Sequence, residues 1–142
     1  MGKRRFTDRG FTLIELLIAI AILGIIAAAV IPNVAKFTQS GVKGATTKEL
    51  GSVQTAVYAA MADNGVEAIV GGTINSTTDL SDYPIDTYLQ GDIAQLKGIW
   101  NVDTDGLVIE GWYPDTAAGI EAWHYEVDAD TGAATWTWEK RT

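Results

Sequence analysis

One carboxylate stands alone in a stretch with no other charge. Glu15 lies near the start of GFTLIELLIAIAILGIIAAAVI, residues 10–31. An acid at hydrocarbon depth costs about 3 kcal/mol on insertion scales, so it needs a partner or a role. Snorkelling to the headgroups is the simplest relief, and glutamate reaches less well than lysine or arginine. A cut between Gly10 and Phe11 offers another. The new amine at Phe11 then lies four residues before Glu15, and the two charges offset each other in low dielectric. Within one helix the anion also favours the positive end of the macrodipole. Between helices, the Glu15 of one chain meets the Phe11 amine of another, which sets axial register and makes assembly electrostatically selective.

The element that positions this acid is a membrane span. Residues 11–31 are interrupted only by Thr12, Glu15 and Gly24, and about 20 apolar residues cross a bilayer core. Lys3, Arg4, Arg5 and Arg9 precede it against Asp8 alone, so the positive-inside bias keeps the N-terminus cytoplasmic and sends the chain after Pro32 across. A cleaved secretory signal is the competing reading, with AAAVIPN near Ala28 as its cleavage site. The apolar core is long for such a signal, and Glu15 has no use in a discarded peptide.

Beyond the span the helix goes on. Pro32 removes a backbone hydrogen bond and crowds the preceding turn, so a kink is expected near Ile31. Gly24 is a second soft point, about 1 kcal/mol less favourable than alanine. Apolar residues then recur at helical spacing through Val34, Phe37, Ala45, Leu50, Val53, Val57, Ala60 and Met61, with Lys36, Lys43, Lys48, Glu49 and Gln54 on the other side. The helix is expected over residues 11–62, about 75 Å at 1.5 Å per residue. Gly41, Gly44 and Gly51 weaken its second half, either for close helix packing or for compliance, with bending or fraying around residues 40–44. Asp63, Asn64 and Gly65 stop it, Gly65 in the left-handed conformation of a C-terminal cap.

KRRFTDRG followed by FTLIELLIAIAILGIIAAAVIP resembles the class III leader and N-terminal helix of bacterial type IV pilins and the related type II secretion pseudopilins, nearly continuously over residues 9–35. The resemblance implies a leader at 1–10 cut after Gly10 by a membrane prepilin peptidase, and N-methylation of Phe11. It makes Glu15 the residue that recruits each subunit into the filament, and Gly24 and Pro32 points where the helix loosens in the fibre. Partners implied are further copies of the chain, the peptidase and methyltransferase, and an inner-membrane assembly platform with its ATPase. The chain would sit in the inner membrane, C-terminus outside, before joining an extracellular filament.

Residues 63–142 form the head. Residues 66–98 are irregular, with a short helix expected between Thr87 and Leu96 and Asp86 as its N-cap. Residues 99–102, 107–113, 120–127 and 134–138 read as four antiparallel strands, and Asp103-Thr104-Asp105-Gly106 and Asp128 to Gly132 as turns. Alternation puts Trp123, Tyr125 and Val127 on one face, and Trp136 with Trp138 on one face of the next strand. The apolar side of residues 53–61 covers them. His124 points the other way, to solvent or a neighbour. The fold class is therefore α+β: a long N-terminal helix, membrane-spanning then amphipathic, packed on a small antiparallel sheet as in the pilin fold.

Other chemistry finds little support. The single histidine cannot make a histidine-based metal site, and no cofactor is expected. Asp103, Asp105, Asp128 and Asp130 invite calcium, which some relatives bind in this region, but no EF-hand glutamate follows and turn formation explains each aspartate. Five tryptophans suggest sugar binding or electron hopping less than core packing. No catalytic serine, cysteine or phosphate-loop pattern occurs, so an enzyme is not expected. There is no cysteine, so the disulfide that closes the C-terminal loop of many pilins is missing.

Net charge is −8. Loss of residues 1–10 leaves six basic and seventeen acidic side chains, net −11, a surface that repels nucleic acid and keeps a greasy fibre dispersed. Three functions fit: a major pilin, for adhesion or motility; a pseudopilin, less well because its Asp-Pro-Trp-Gly stretch is missing; and an anchored binding domain that never polymerises, for which Glu15 has no use.

Overall fold

Helix α1 runs Leu13–Asn64, 52 residues in one element. The structure, a computed structural model, describes residues 10–114 and 119–141; the expected leader lies outside that range apart from Gly10. The chain divides into two units, Met1–Ser40 and Gly41–Thr142. In the first, every residue from 10 to 40 is exposed. By length and composition α1 is apolar enough to cross a membrane. It continues unbroken through Gly24 and Pro32. Two of its polar side chains turn back onto backbone carbonyls, Asn33 Nδ2 donating to Ala29 O and Thr38 Oγ1 to Val34 O, the local pairing such residues make within a helix.

In the second unit the helix acquires an inner face. Thr46, Val53, Ala56, Val57, Ala60 and Met61 are buried. Val34, Phe37 and Ala45, expected on the same stripe, are exposed. Thr46 Oγ1 satisfies itself on Val42 O at 2.7 Å. Gly41, Gly44 and Gly51 lie within α1 without ending it, and a Cβ added at any of them would meet nothing within 4 Å; close packing is not their use within this chain. The helix closes as expected at Gly65, φ +64. Val66 N donates to Met61 O at 3.0 Å and Gly65 N to Ala62 O at 3.2 Å, the paired bonds of a Schellman cap.

Five strands follow as an antiparallel meander in chain order: β1 Gly72–Ile74, β2 Ile99–Val102, β3 Val108–Tyr113, β4 Glu121–Val127 and β5 Ala134–Lys140. β1 is an addition to the four expected, three residues paired with β2 through Thr73 and Asn101. Trp100 is fully buried between sheet and helix beside Val53, Val57, Ile74, Ile85 and Val108. Tyr125 and Trp136 join this core, ring centroids 4.8 Å apart. Trp123 and Trp138 form an edge-to-face pair at 5.5 Å with Lys43 Nζ 5.0 Å from the Trp123 centroid, so the end of the aromatic face is closed by a cation rather than by the apolar helix stripe.

Two polar helix residues placed by sequence on the far side face the sheet instead. Glu49 accepts from Lys97 N, Gly98 N and Trp100 Nε1. Gln54 donates Nε2 to Gly106 O at 2.6 Å and accepts Val108 N at 2.8 Å, serving the β2–β3 hairpin as a backbone neighbour would. The helix expected over residues 87–96 is replaced by two 3-10 turns, Asp86–Tyr88 and Ile93–Gln95. Gly91 between them has φ +135, outside helical space. Asp86 does not cap the first of them; its Oδ1 receives Ile93 N at 2.8 Å, and Asp92 caps the second through Ala94 N.

The outer face of the sheet carries a polar row across all five strands. Thr73 Oγ1 donates to Asn101 Oδ1 and Asn101 Nδ2 to Glu110 Oε2. His124 follows, with Nε2 3.4 Å from Glu110 Oε1 and Nδ1 2.6 Å from Glu139 Oε1, and Thr137 donates to that same oxygen. His124 faces away from the core as expected, yet its side chain is only 14% exposed, because the Trp112 ring stacks on it at 4.1 Å and 6°. Its hydrogen bond holds the Glu139 carboxyl below the usual range.

Candidate processing and assembly site

The residues singled out by sequence meet at the start of α1. Gly10 and Phe11 precede the helix, and Phe11 is 87% exposed. Thr12 is the last residue before α1, and its backbone N and Oγ1 both donate to Glu15 Oε2, at 2.8 and 2.7 Å. Glu15 N returns a longer bond to Thr12 Oγ1 at 3.4 Å. This is a reciprocal capping box, Thr at the N-cap and Glu three residues on. It satisfies donors that a helix start otherwise leaves bare.

Two chemical consequences follow from this arrangement. The peptide bond between Gly10 and Phe11 lies outside the helix. Both Thr12 donors converge on Oε2, and among the described residues Oε1 accepts no hydrogen bond. Thr12 thus holds the carboxylate in place.

Sequence reasoning missed Thr12. The signal is present, since Thr-x-x-Glu before an apolar run is a helix-start signature. Gly24 and Pro32 lie far from this cluster in sequence; a Cβ at Gly24 would meet nothing within 4 Å. Asp103 and Asp128, two of the four candidate calcium ligands, serve their own turns. Asp103 Oδ1 accepts Asp105 N and Leu107 N. Asp128 Oδ1 accepts Asp130 N, Thr131 N and Thr131 Oγ1, bonds led by Thr131 that pull its carboxyl below the usual range. Among the described residues no group of three or more His, Cys, Asp or Glu side chains is arranged to hold a metal.

The family model for the prokaryotic N-terminal methylation motif matches residues 5–31. The chain carries the N-methylation motif of prokaryotic pilins. Fimbrial protein EcpB of Eikenella corrodens is 39% identical over 64 residues, 45% of this chain and 40% of that protein. Type IV major fimbrial protein FimA of Dichelobacter nodosus is 34% identical over 71 residues, 49% of this chain and 46% of that one. The chain thus matches less than half the length of either relative. No solved structure matches it.

Proposed function

We propose that this pilin-type chain is the major structural subunit of a type IV pilus, polymerised through the first half of α1. One observation carries the reading: residues 10–40 are exposed along their whole length, residues 11–31 of them are an apolar rod, and the lone acid near its tip is oriented by Thr12. A bare apolar surface of this size in water is a binding surface. In a membrane it is content, and against copies of itself it is content again. The charge at the tip distinguishes the second case, because a simple anchor gains nothing from a carboxylate there.

In this reading a membrane prepilin peptidase cuts after Gly10 and the Phe11 amine is methylated. Each subunit waits in the inner membrane with its head outside. The amine of Phe11 offers a cation to the Glu15 carboxylate, within the chain or on its neighbour. A pair formed in low dielectric is strongly dependent on geometry, and removing one partner leaves an uncompensated charge. That penalty, rather than the net attraction, sets the register of the growing fibre. An assembly platform and its ATPase supply the work of extraction. Gly24 and Pro32 are the points at which the helix yields as it leaves lipid for the fibre.

Shearing cells and imaging the released material tests this. Long filaments of this chain beginning at methylated Phe11 are expected; surface material with no filaments, or a chain confined to short periplasmic assemblies, would replace the pilus with a pseudopilus or a plain anchor.

A further inference from the structure

Of the four asparagines in the chain, Asn75 alone opens an Asn-x-Ser/Thr triplet, Asn75-Ser76-Thr77, the acceptor pattern for nitrogen-linked glycans in exported proteins. It follows β1 directly and sits in a tight turn. Asn75 N donates to Thr78 O at 2.9 Å and Thr78 N to Asn75 O at 3.3 Å, which closes a four-residue loop whose Thr77 and Thr78 are exposed.

The side chain is held by its oxygen. Asn75 Oδ1 accepts Thr77 N at 2.8 Å, Thr77 Oγ1 at 3.0 Å and Thr78 N at 2.9 Å. Nδ2 makes no hydrogen bond among the described residues. An amide nitrogen is a poor nucleophile because its lone pair is delocalised onto oxygen. It attacks as its proton departs and negative charge gathers on that oxygen. Three donors fixed on the oxygen stabilise that charge, as in an oxyanion hole. The turn therefore leaves the nitrogen unengaged and favours its reactive form.

We propose that Asn75 is a glycosylation site, with Thr77 as its positioning residue and a polyprenyl-diphosphate-linked glycan as donor. The Nδ2–C1 bond forms as the C1–O bond to diphosphate breaks. The lipid diphosphate leaves with the electron pair, and the Nδ2 proton passes to a base of the transferase. The proposal rests on the reading above, which puts the head on the far side of the membrane.

Surface material sheared from the organism that makes the chain is digested and read by tandem mass spectrometry. A hexose- or N-acetylhexosamine-based mass is expected on the Asn75 peptide. Asn75→Gln and Thr77→Val should each abolish it, and Thr77→Ser should keep it. An unmodified Asn75 in leader-free surface chain overturns the proposal, as does a glycan that persists in Asn75→Gln. The N-terminal residue reports separately on assembly: surface chain that still begins at Met1 overturns the pilus reading, whatever the mass at Asn75.

Discussion

Helix α1 uses glutamate twice on its inward business, and the two uses are opposite. Glu49 engages both oxygens with its own chain, on Lys97 N, Gly98 N and the Trp100 indole. Glu15 takes both Thr12 donors on Oε2 alone. One carboxylate completes a core; the other, among the described residues, is bonded through one oxygen only, at the edge of an apolar rod. The same contrast divides the helix as a whole: residues 10–40 are exposed throughout, whereas the inner face beyond Gly41 is buried against Trp100 and its neighbours. In the proposed function, the helix half that is exposed in its own fold is the half that meets other copies.

The largest effect expected is one that confines folding to the second half. A Cβ at Gly111 would run into the Trp100 ring and Ile99 O, and a fully buried tryptophan has nowhere to move. Gly111→Ala should cost about 3 kcal/mol, and Trp100→Ala about 3 to 5 kcal/mol, measured by urea unfolding of the detergent-solubilised chain. Ile20→Ala in the exposed half should change that midpoint by less than about 0.5 kcal/mol. A comparable loss at Ile20 would break the comparison.

Next comes the latch at Glu49. Glu49→Ala leaves the indole of a buried tryptophan and two backbone N–H groups without an acceptor, a loss of about 2 kcal/mol. Faster amide exchange at Lys97 and Gly98 is the direct readout. Glu49→Gln retains an acceptor oxygen and should restore part of the protection.

Much of this division is legible in sequence. The apolar run, the cap at Gly65, the Asp- and Gly-containing turns and four of the five strands follow from residue types with one dominant use. The remainder is not, for physical reasons. β1 is three residues that begin on the second of two glycines, too short for alternation to register, and pairing with β2 alone makes it a strand. Glu49 and Gln54 look like solvent residues because periodicity sees polarity and cannot see a backbone donor waiting across the core. Asp86 has the chemistry of a cap, but Gly91 breaks the helix it was expected to start. The Glu15 site was half legible: the acid stood out against hydrocarbon, and the threonine that orients it did not.

Smaller effects sharpen the site. Thr12→Val removes the hydroxyl from the capping box and should cost the helix start about 1 kcal/mol, seen as faster amide exchange at Glu15 in micelles. Fibre yield should fall less than in any variant lacking the carboxylate.

The smallest effect is on pH. Asp128 and Glu139 have carboxyls held below their ordinary values by hydrogen bonds, from Thr131 and His124 respectively. Each therefore stabilises the fold above the ordinary carboxylate range, about pH 4, and that contribution is lost as pH falls through the lowered value. Asp128→Asn and Glu139→Gln should flatten the acid limb of the stability curve while leaving neutral pH little changed. Unfolding curves from pH 7 to pH 2 report it.

The most direct measurement pairs two readings on one variant, Glu15→Ala: membrane insertion by carbonate extraction, and fibre incorporation by shearing in a strain that also expresses the natural chain. Full insertion with the variant absent from fibres is the predicted result. Incorporation in proportion to its expression would contradict the role of the tip carboxylate, and with it the claim that the exposed half of α1 is built to meet copies of itself.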